Sequence, residues 1–349
     1  MELPKITIVI PSFNQGAFLE ETILSVLNQG YRNLELIIID GGSKDNSVEI
    51  IKKYEKQLKY WVSETDKGQS HAINKGLSKS SGEVFNWLCS DDTLAPGSLE
   101  RVGNAFKDHP GLLCYSGGLR KFEGKETLEF YEPLLQGTLE NTLRKRVIKQ
   151  PSIFYGHEAL VKMGPLNEKL HYVMDVDWLL RFLFLFGIER IFEENDQVIA
   201  NYRLHPHSKT ITTIDKFTSE DSALLYSIAK LKGMTKYLHV LDLKRESLEI
   251  EFPSDCLLEV ENEVVNHLLF WFCLRKSGMI YKKSDFKFAK IFLAEISEEG
   301  IKLEEEEKAH LIFLNKYVRG KSWLHFRLYR AYEWKIKKKH LSPALGEPV

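Results

Sequence analysis

With 349 residues, 43% of them hydrophobic and 28% charged, the chain can bury a sizeable core and reads as one large globular domain with an appendage. A formal net charge of -1 argues against a nucleic-acid binder that works through overall basicity. Cys89, Cys114, Cys256 and Cys273 form no C-x-x-C pair and no zinc spacing, so they read as reduced, mostly buried thiols of a cytosolic protein.

The opening Met1-Glu2-Leu3-Pro4-Lys5 leads straight into a strand-like run, with no secretory signal in view. That run, Lys5 to Ile10, ends in Pro11-Ser12-Phe13-Asn14. Phe18, Ile23, Val26 and Leu27 then recur at near-helical spacing over Phe18 to Gln29. A second apolar run, Leu34 to Ile39, ends at Asp40 and is followed by a helix from about Asn46-Ser47, where a short polar side chain can cap. Tyr60 to Glu64 precedes Asp66, and a helix over Gln69 to Lys79 stops at Ser80-Ser81-Gly82. Val84 to Cys89 precedes Asp91-Asp92, a helix follows Pro96, and Gly111 to Gly118 supplies a fifth strand. This alternation predicts βα units and an α/β fold with a mostly parallel sheet flanked by helices.

From about residue 119 the rhythm changes. Charged, irregular sequence runs to Gln136, a helix is expected over 138–147, and Gln150 to Tyr155 reads as a short strand or extended loop. An apolar helix over about 175–186 ends at Gly187, followed by two short strands, Ile188 to Phe192 and Val198 to Leu204. Beyond about 215 the pattern is all-helical, which divides the chain into 1–214 and a helical appendage, 215–349. No stretch approaches the roughly 18 apolar residues of a membrane span, and the nearest, Trp178 to Ile188, is broken by Arg181.

Strand ends carry the chemistry. An open α/β sheet binds its ligand at the carboxyl ends of its strands, which places Asp40, Asp66, Asp91 and Asp92 around one crevice. Carboxylates there repel phosphate unless a divalent cation lies between them. Asp91 and Asp92 can offer oxygens to Mg²⁺ or Mn²⁺, or merely form a polar turn. Asp40 can accept from a base imide or a ribose hydroxyl, or close an Asx turn over Gly41-Gly42. No G-x-G-x-x-G or Walker sequence offers another phosphate cradle.

Taken together, these stretches resemble the inverting family 2 glycosyltransferases of the GT-A fold. The matching segments are Ile10 to Asn14, Ile39 to Asp45, Glu64 to Gly68, Ser90 to Asp92, Met174 to Arg181 and Tyr202 to His205, in that order. The resemblance implies metal-dependent, inverting transfer from a nucleotide-diphosphate sugar, a UDP-sugar foremost, to a hydroxyl of a glycan or lipid-linked acceptor in surface polysaccharide synthesis. It implies that Pro11, Asn14, Asp40 and Asp66 border the nucleoside, with Asp91 at the ribose. Asp92, Asp91 and His205 would serve the metal, Mn²⁺ or Mg²⁺; His205 is preferred over His207. Many relatives carry an acidic or amide residue where this chain has Cys89, so Asp92 should carry most of the metal.

Asp175 is the catalytic base that the resemblance implies, although its position would equally suit a helix N-cap. Asp177 is expected to pair with Arg181 at i+4 instead. Lys67, Asn74 and Lys75 are weaker site candidates. Between Asn315 and His340, basic residues interleave with Trp323, Phe326, Tyr329, Tyr332 and Trp334, a composition that suits peripheral contact with an anionic membrane or a packed terminal helix. The expected location is cytoplasmic, at the inner face of the cell membrane. Two rivals remain: a nucleotidyltransferase, and a catalytically silent nucleotide-sugar-binding scaffold.

Overall fold

The computed structural model describes residues 2–206, 208–209, 213–280, 283–296, 298 and 301–337. His207, residues 338–340 of the basic segment and the side chains of Tyr332 and Trp334 lie outside the described residues.

The apolar runs form β1 (Ile6–Ser12), β2 (Leu34–Asp40), β3 (Tyr60–Ser63) and β4 (Val84–Trp87). They lie in the order β3-β2-β1-β4, all parallel, with Ser12 beside Asp40 and Asp40 beside Ser63. The helices between them are α1 (Gly16–Leu27), α2 (Ser47–Tyr54) and α3 (Gln69–Lys79); α4 (Ser98–Asp108) follows. Chain order reverses between β1 and β4, so the loops after these strands part and leave a crevice at their carboxyl ends.

Beyond this half come β5 (Thr93–Leu94), β6 (Cys114–Glu123), β7 (Glu126–Phe130), β8 (Ile153–Gly156) and β9 (Ile191–Arg203). They extend one sheet to β3-β2-β1-β4-β8-β6-β9-β5, with β7 on the far end of β6. Most of its paired length is parallel; β8, β5 and β7 run antiparallel to their neighbours. Two departures from expectation are instructive. Residues 119–130 form a β-hairpin rather than irregular chain, and every residue of β7 is exposed, so no apolar alternation marks it. The two short strands are one, β9, whose register against β6 jumps from Glu194 to Val198.

Alternation along β1 sends Ile6, Ile8 and Ile10 to one face, against Leu19, Ile23 and Val26 of α1 and Leu99 and Val102 of α4. Val9, Ile37 and Ile39 face the other way, against Ala72 and Ile73 of α3. α5 (Leu139–Lys145), α6 (His157–Met163) and α7 (Met174–Phe186) complete the sheet-bearing region, α6 being unforeseen. From α7, fully buried Trp178 packs edge-on against Trp87 of β4 at 5.3 Å and Tyr155 of β8 at 5.5 Å, fixing this helix to the sheet. The expected Asp177–Arg181 pair forms at 2.5 Å in the interior.

The helical region is α8 (Ile214–Leu231), α9 (Thr235–Asp242), α10 (Asn262–Gly278), α11 (Lys283–Glu295), α12 (Glu305–Tyr317) and α13 (Trp323–Lys337). Leu224, Phe270, Phe292 and Leu314 from these helices share one apolar core with Trp178 and Ile37. Among the described residues no helix is long and apolar enough to cross a membrane.

Candidate active site

At the β2 end, Asp40 is fully buried and its carboxylate is occupied. Oδ2 accepts from Gly42 N (3.1 Å), Ser43 N (2.9 Å) and Ser63 Oγ (2.6 Å), while Oδ1 accepts from Ser43 Oγ (2.5 Å). Asp40 thus closes an Asx turn that ties β3 to the β2 loop, and Gly42 supplies the left-handed φ of 82° that the turn needs. Asn14 laces the β1 loop to the same turn: Asn14 N donates to Ser43 Oγ (2.7 Å) and Asn14 Oδ1 accepts from Lys44 N (2.8 Å). Pro11 is buried inside β1. The α2 cap differs from expectation. Asn46 makes no capping bond, and Asp45 instead accepts from Ser47 N (3.0 Å) and Gly16 N (2.8 Å).

Half-buried Asp66 accepts from Gly68 N at 2.8 Å. Its other oxygen presses on the Gly41 backbone, where a Cβ would stand 2.7 Å away and also 3.3 Å from the Phe13 ring. Phe13 is 60% exposed, an unusual state for a phenylalanine at a strand end. Its aromatic face, beside the Asp66 carboxylate, is available to a planar ligand.

On the other side of the crevice, Arg203 clamps the paired aspartates. Its backbone N donates to Asp92 Oδ1 (2.9 Å), its Nε to the Asp91 carbonyl (2.8 Å) and its Nη2 to Glu21 Oε2 (2.6 Å). The guanidinium lies over the rings of Phe122 (4.6 Å) and Phe18 (5.2 Å). The Thr22 hydroxyl sits 2.9 Å from Ser90 O and 2.8 Å from Asp92 O and donates to one of them at a time. Burial, then the neighbouring Asp91 charge, pushes the Asp92 carboxyl well up. The Cys89 thiol is raised by the same burial and both aspartates. Cys89, Asp91 and Asp92 bring one ligand atom each within 4.8 Å of one another. Adjacent carboxylates whose only side-chain cation partners among the described residues are Arg203 and His205 fit a divalent oxygen-seeking cation. His205 joins this centre through Asp91, with Nε2 3.0 Å from Asp91 Oδ2, and not as a fourth member of that group.

Asp175 is the second residue of α7; the N-cap position is Val173, so Asp175 is not the helix cap. One backbone donor reaches it from the adjacent residue, Val176 N to Oδ1 at 2.9 Å. Burial outweighs this bond and moves the carboxyl up to about 6. Burial, then Tyr202 and Glu129, raises the Tyr131 hydroxyl, and the charges of Asp92 and Asp175 both reach it and add to the rise. Lys209 lies between the same poles: Nζ donates to Gln69 Oε1 (3.2 Å) and His171 O (3.1 Å), Gln69 Nε2 reaches Cys89 Sγ (3.2 Å), and its charge lowers the Asp175 carboxyl.

The loop entering α7 is held from the helical region. Glu220 of α8, 4% exposed, accepts from the backbone N–H of His171 (2.9 Å), Tyr172 (2.7 Å) and Val173 (3.2 Å). No local pattern announces Glu220, which lies 47 residues beyond Val173. Arg203 had a signal, its place two residues before His205, and Phe13 had one in an aromatic ending an apolar run. The lesser candidates lie aside. Lys75 pairs with Glu64 (2.8 Å) and Asn74 binds the Leu166 carbonyl (2.9 Å).

The model of glycosyl transferase family 2 matches residues 7–168. An uncharacterized glycosyltransferase of Nostoc sp. is 33% identical over 230 residues, 63% of this chain and 70% of the relative. The chain belongs to this family. It is therefore a glycosyltransferase, which sets aside the nucleotidyltransferase alternative. The GalNAc(5)-diNAcBac-PP-undecaprenol beta-1,3-glucosyltransferase of Campylobacter jejuni is 26% identical over 295 residues, 73% of this chain and 93% of that enzyme. Among solved structures, S. aureus TarS 1-349 superposes with a TM-score of 0.59 at 17% identity, covering 95% of this chain and 92% of TarS. Its complex with UDP gives the same score and identity over 98% and 95%. At such identity the likeness is one of fold, and it is that of the GT-A glycosyltransferases.

Proposed function

We propose that the enzyme moves a sugar from a nucleoside-diphosphate donor, a UDP-sugar foremost, to a hydroxyl of a glycan or lipid-linked glycan, with inversion and with help from a divalent cation. The observation that carries this proposal is Asp175, a buried carboxylate at the start of α7 that is raised to about 6 and, unlike Asp177 with its Arg181 partner, makes no side-chain ion pair among the described residues. Inverting transfer needs one base and no enzyme nucleophile. Asp175 takes the acceptor hydroxyl's proton as that oxygen attacks the anomeric carbon from the face opposite the leaving diphosphate. With its carboxyl near 6, Asp175 is ionised at neutral pH yet a stronger base than an ordinary aspartate.

In this proposal the base of the donor lies on Phe13 beside Asp66, and Asp40 with Asn14 and Pro11 shapes the floor below it. Asp91 faces the ribose, oriented by His205 and Arg203. Asp92, with Asp91 and His205 close by, would hold Mn²⁺ or Mg²⁺, which supplies Lewis-acid stabilisation of a leaving diphosphate when bound. Lys209, anchored on Gln69 and the His171 carbonyl, is the cation we assign to the leaving diphosphate. Residues 1–214 form the catalytic unit and 215–349 a helical extension that shares its core. A lipid-linked acceptor, as in the name of the Campylobacter relative, supports a role in surface polysaccharide synthesis at the inner face of the cell membrane.

A panel of nucleotide sugars with Mn²⁺ or Mg²⁺ tests the proposal by release of nucleoside diphosphate and by the anomeric configuration of the product. Retention of configuration, or donor turnover untouched by Asp175→Asn, would overturn it.

A further inference from the structure

Of the two readings of the tail's aromatics, packing is the one seen for Trp323, Phe326 and Tyr329. Phe326 is buried against Phe286 of α11 (5.5 Å), Trp323 packs on the same ring (5.6 Å), and Tyr329 stacks on Tyr317 of α12 (3.9 Å). With Trp323, Phe326 and Tyr329 on the inner side, the 3.6-residue period turns positions 324, 328 and 331 outward. Two of these are leucines left in the open, Leu324 at 67% and Leu328 at 61% exposure.

A cluster of cations adjoins this apolar stripe. Lys283, Lys287 and Lys290 of α11 and Lys321, before α13, line a cleft of about 470 Å³ with Phe286 and Trp323. All four lysines are exposed, and no described carboxylate forms an ion pair with any of them. The one acid of the first turn of α11, Asp285, is buried and bound to Lys244. Arg327, over the Trp323 ring at 5.7 Å, joins the cleft to the leucine stripe. Like charges gathered on an exposed face make a local positive field that attracts a surface of opposite charge. A soluble polyanion would satisfy the lysines but leave Leu324 and Leu328 in water. An anionic bilayer satisfies both, with headgroup phosphates on the lysines and the leucines at the acyl boundary.

We infer that the Lys283–Lys287–Lys290–Lys321 cleft and the outward leucines of α13 form a docking face for an anionic lipid bilayer. The inference extends the proposal of a lipid-linked acceptor by naming the surface that would bring the enzyme to it.

The test is flotation of the full chain with vesicles of phosphatidylcholine containing phosphatidylglycerol, against vesicles of phosphatidylcholine alone. Binding is expected only to the anionic vesicles and to weaken as salt is added. Lys287→Glu with Lys290→Glu should reduce it by about thirtyfold or more, because each surface lysine near such a membrane contributes about a fivefold factor. Leu324→Asp with Leu328→Asp changes only exposed side chains and should also release the protein. Both variants should keep wild-type turnover of a donor with a soluble acceptor. Equal binding to neutral vesicles, no effect of either double variant, or preference for a soluble polyanion such as heparin over vesicles would overturn the inference. The flotation contains neither donor nor acceptor, so its failure would leave the transfer chemistry standing.

Discussion

Replacing Glu220 by Gln should slow sugar transfer and leave donor binding intact. The Glu220 carboxylate, 4% exposed, holds three consecutive N–H groups, those of His171, Tyr172 and Val173, immediately before the helix that carries Asp175. Glutamine keeps one acceptor oxygen and turns an NH₂ donor toward the other N–H groups. Losing one or two charge-assisted bonds of about 1.5–3 kcal/mol, which do not add fully, predicts about 2–4 kcal/mol of lost stability. For a chain of this size that is a fall in Tm of about 3–6 °C. Because the released groups include the N-cap residue of α7, the base is expected to shift, and a displacement of ~1 Å costs about 100-fold in rate. Steady-state release of nucleoside diphosphate would read kcat, and calorimetry would read donor affinity, both well below the new Tm. Glu220→Asp should fall between the two. A lowered Tm with kcat unchanged in the folded variant would refute the positioning role and leave Glu220 a purely structural cap.

Asp175→Asn should abolish transfer, by about 10²–10⁴-fold for loss of a general base, with donor affinity retained. The same change should stabilise the protein. The carboxyl is raised from 3.8 to about 6, so its native-state contribution is favourable below about pH 4 and is lost as pH rises through 6. Removing that penalty raises stability at neutral pH by at most about 3 kcal/mol, checked by chemical denaturation. In the wild type, kcat/KM should fall with unit slope below about pH 6 as Asp175 is protonated, and a profile flat to pH 5 would exclude it as the base. Arg203→Ala should weaken donor and metal binding together, since it frees the Asp91 carbonyl and two ring contacts; a change in Tm alone would count against it. Phe13→Ala should raise the donor KM by about tenfold, the scale of one base–aromatic stack, with kcat unchanged.

The sequence by itself determined the frame. The apolar runs that end at Asp40 and just before Asp91-Asp92 define buried parallel strands, because a strand buried on both faces is largely apolar and its polar residues collect at its ends; β3, before Asp66, is only partly buried. Family motifs in fixed order then named the sugar-transfer chemistry and pointed to Asp175 as the base we propose. Tertiary structure decided how the carboxylates divide their work, because burial and partners are not local properties. Asp40 spends its oxygens on its own loop, whereas Asp92 stays buried beside a like charge, and the two look alike in one dimension. Arg203 and Glu220 act on residues far along the chain, so only the fold joins them to Asp92 and to the α7 entry. The tail shows the same limit. Its composition suited either aromatic anchors or a packed helix, and packing turns Trp323, Phe326 and Tyr329 inward, leaving lysines and two leucines facing out.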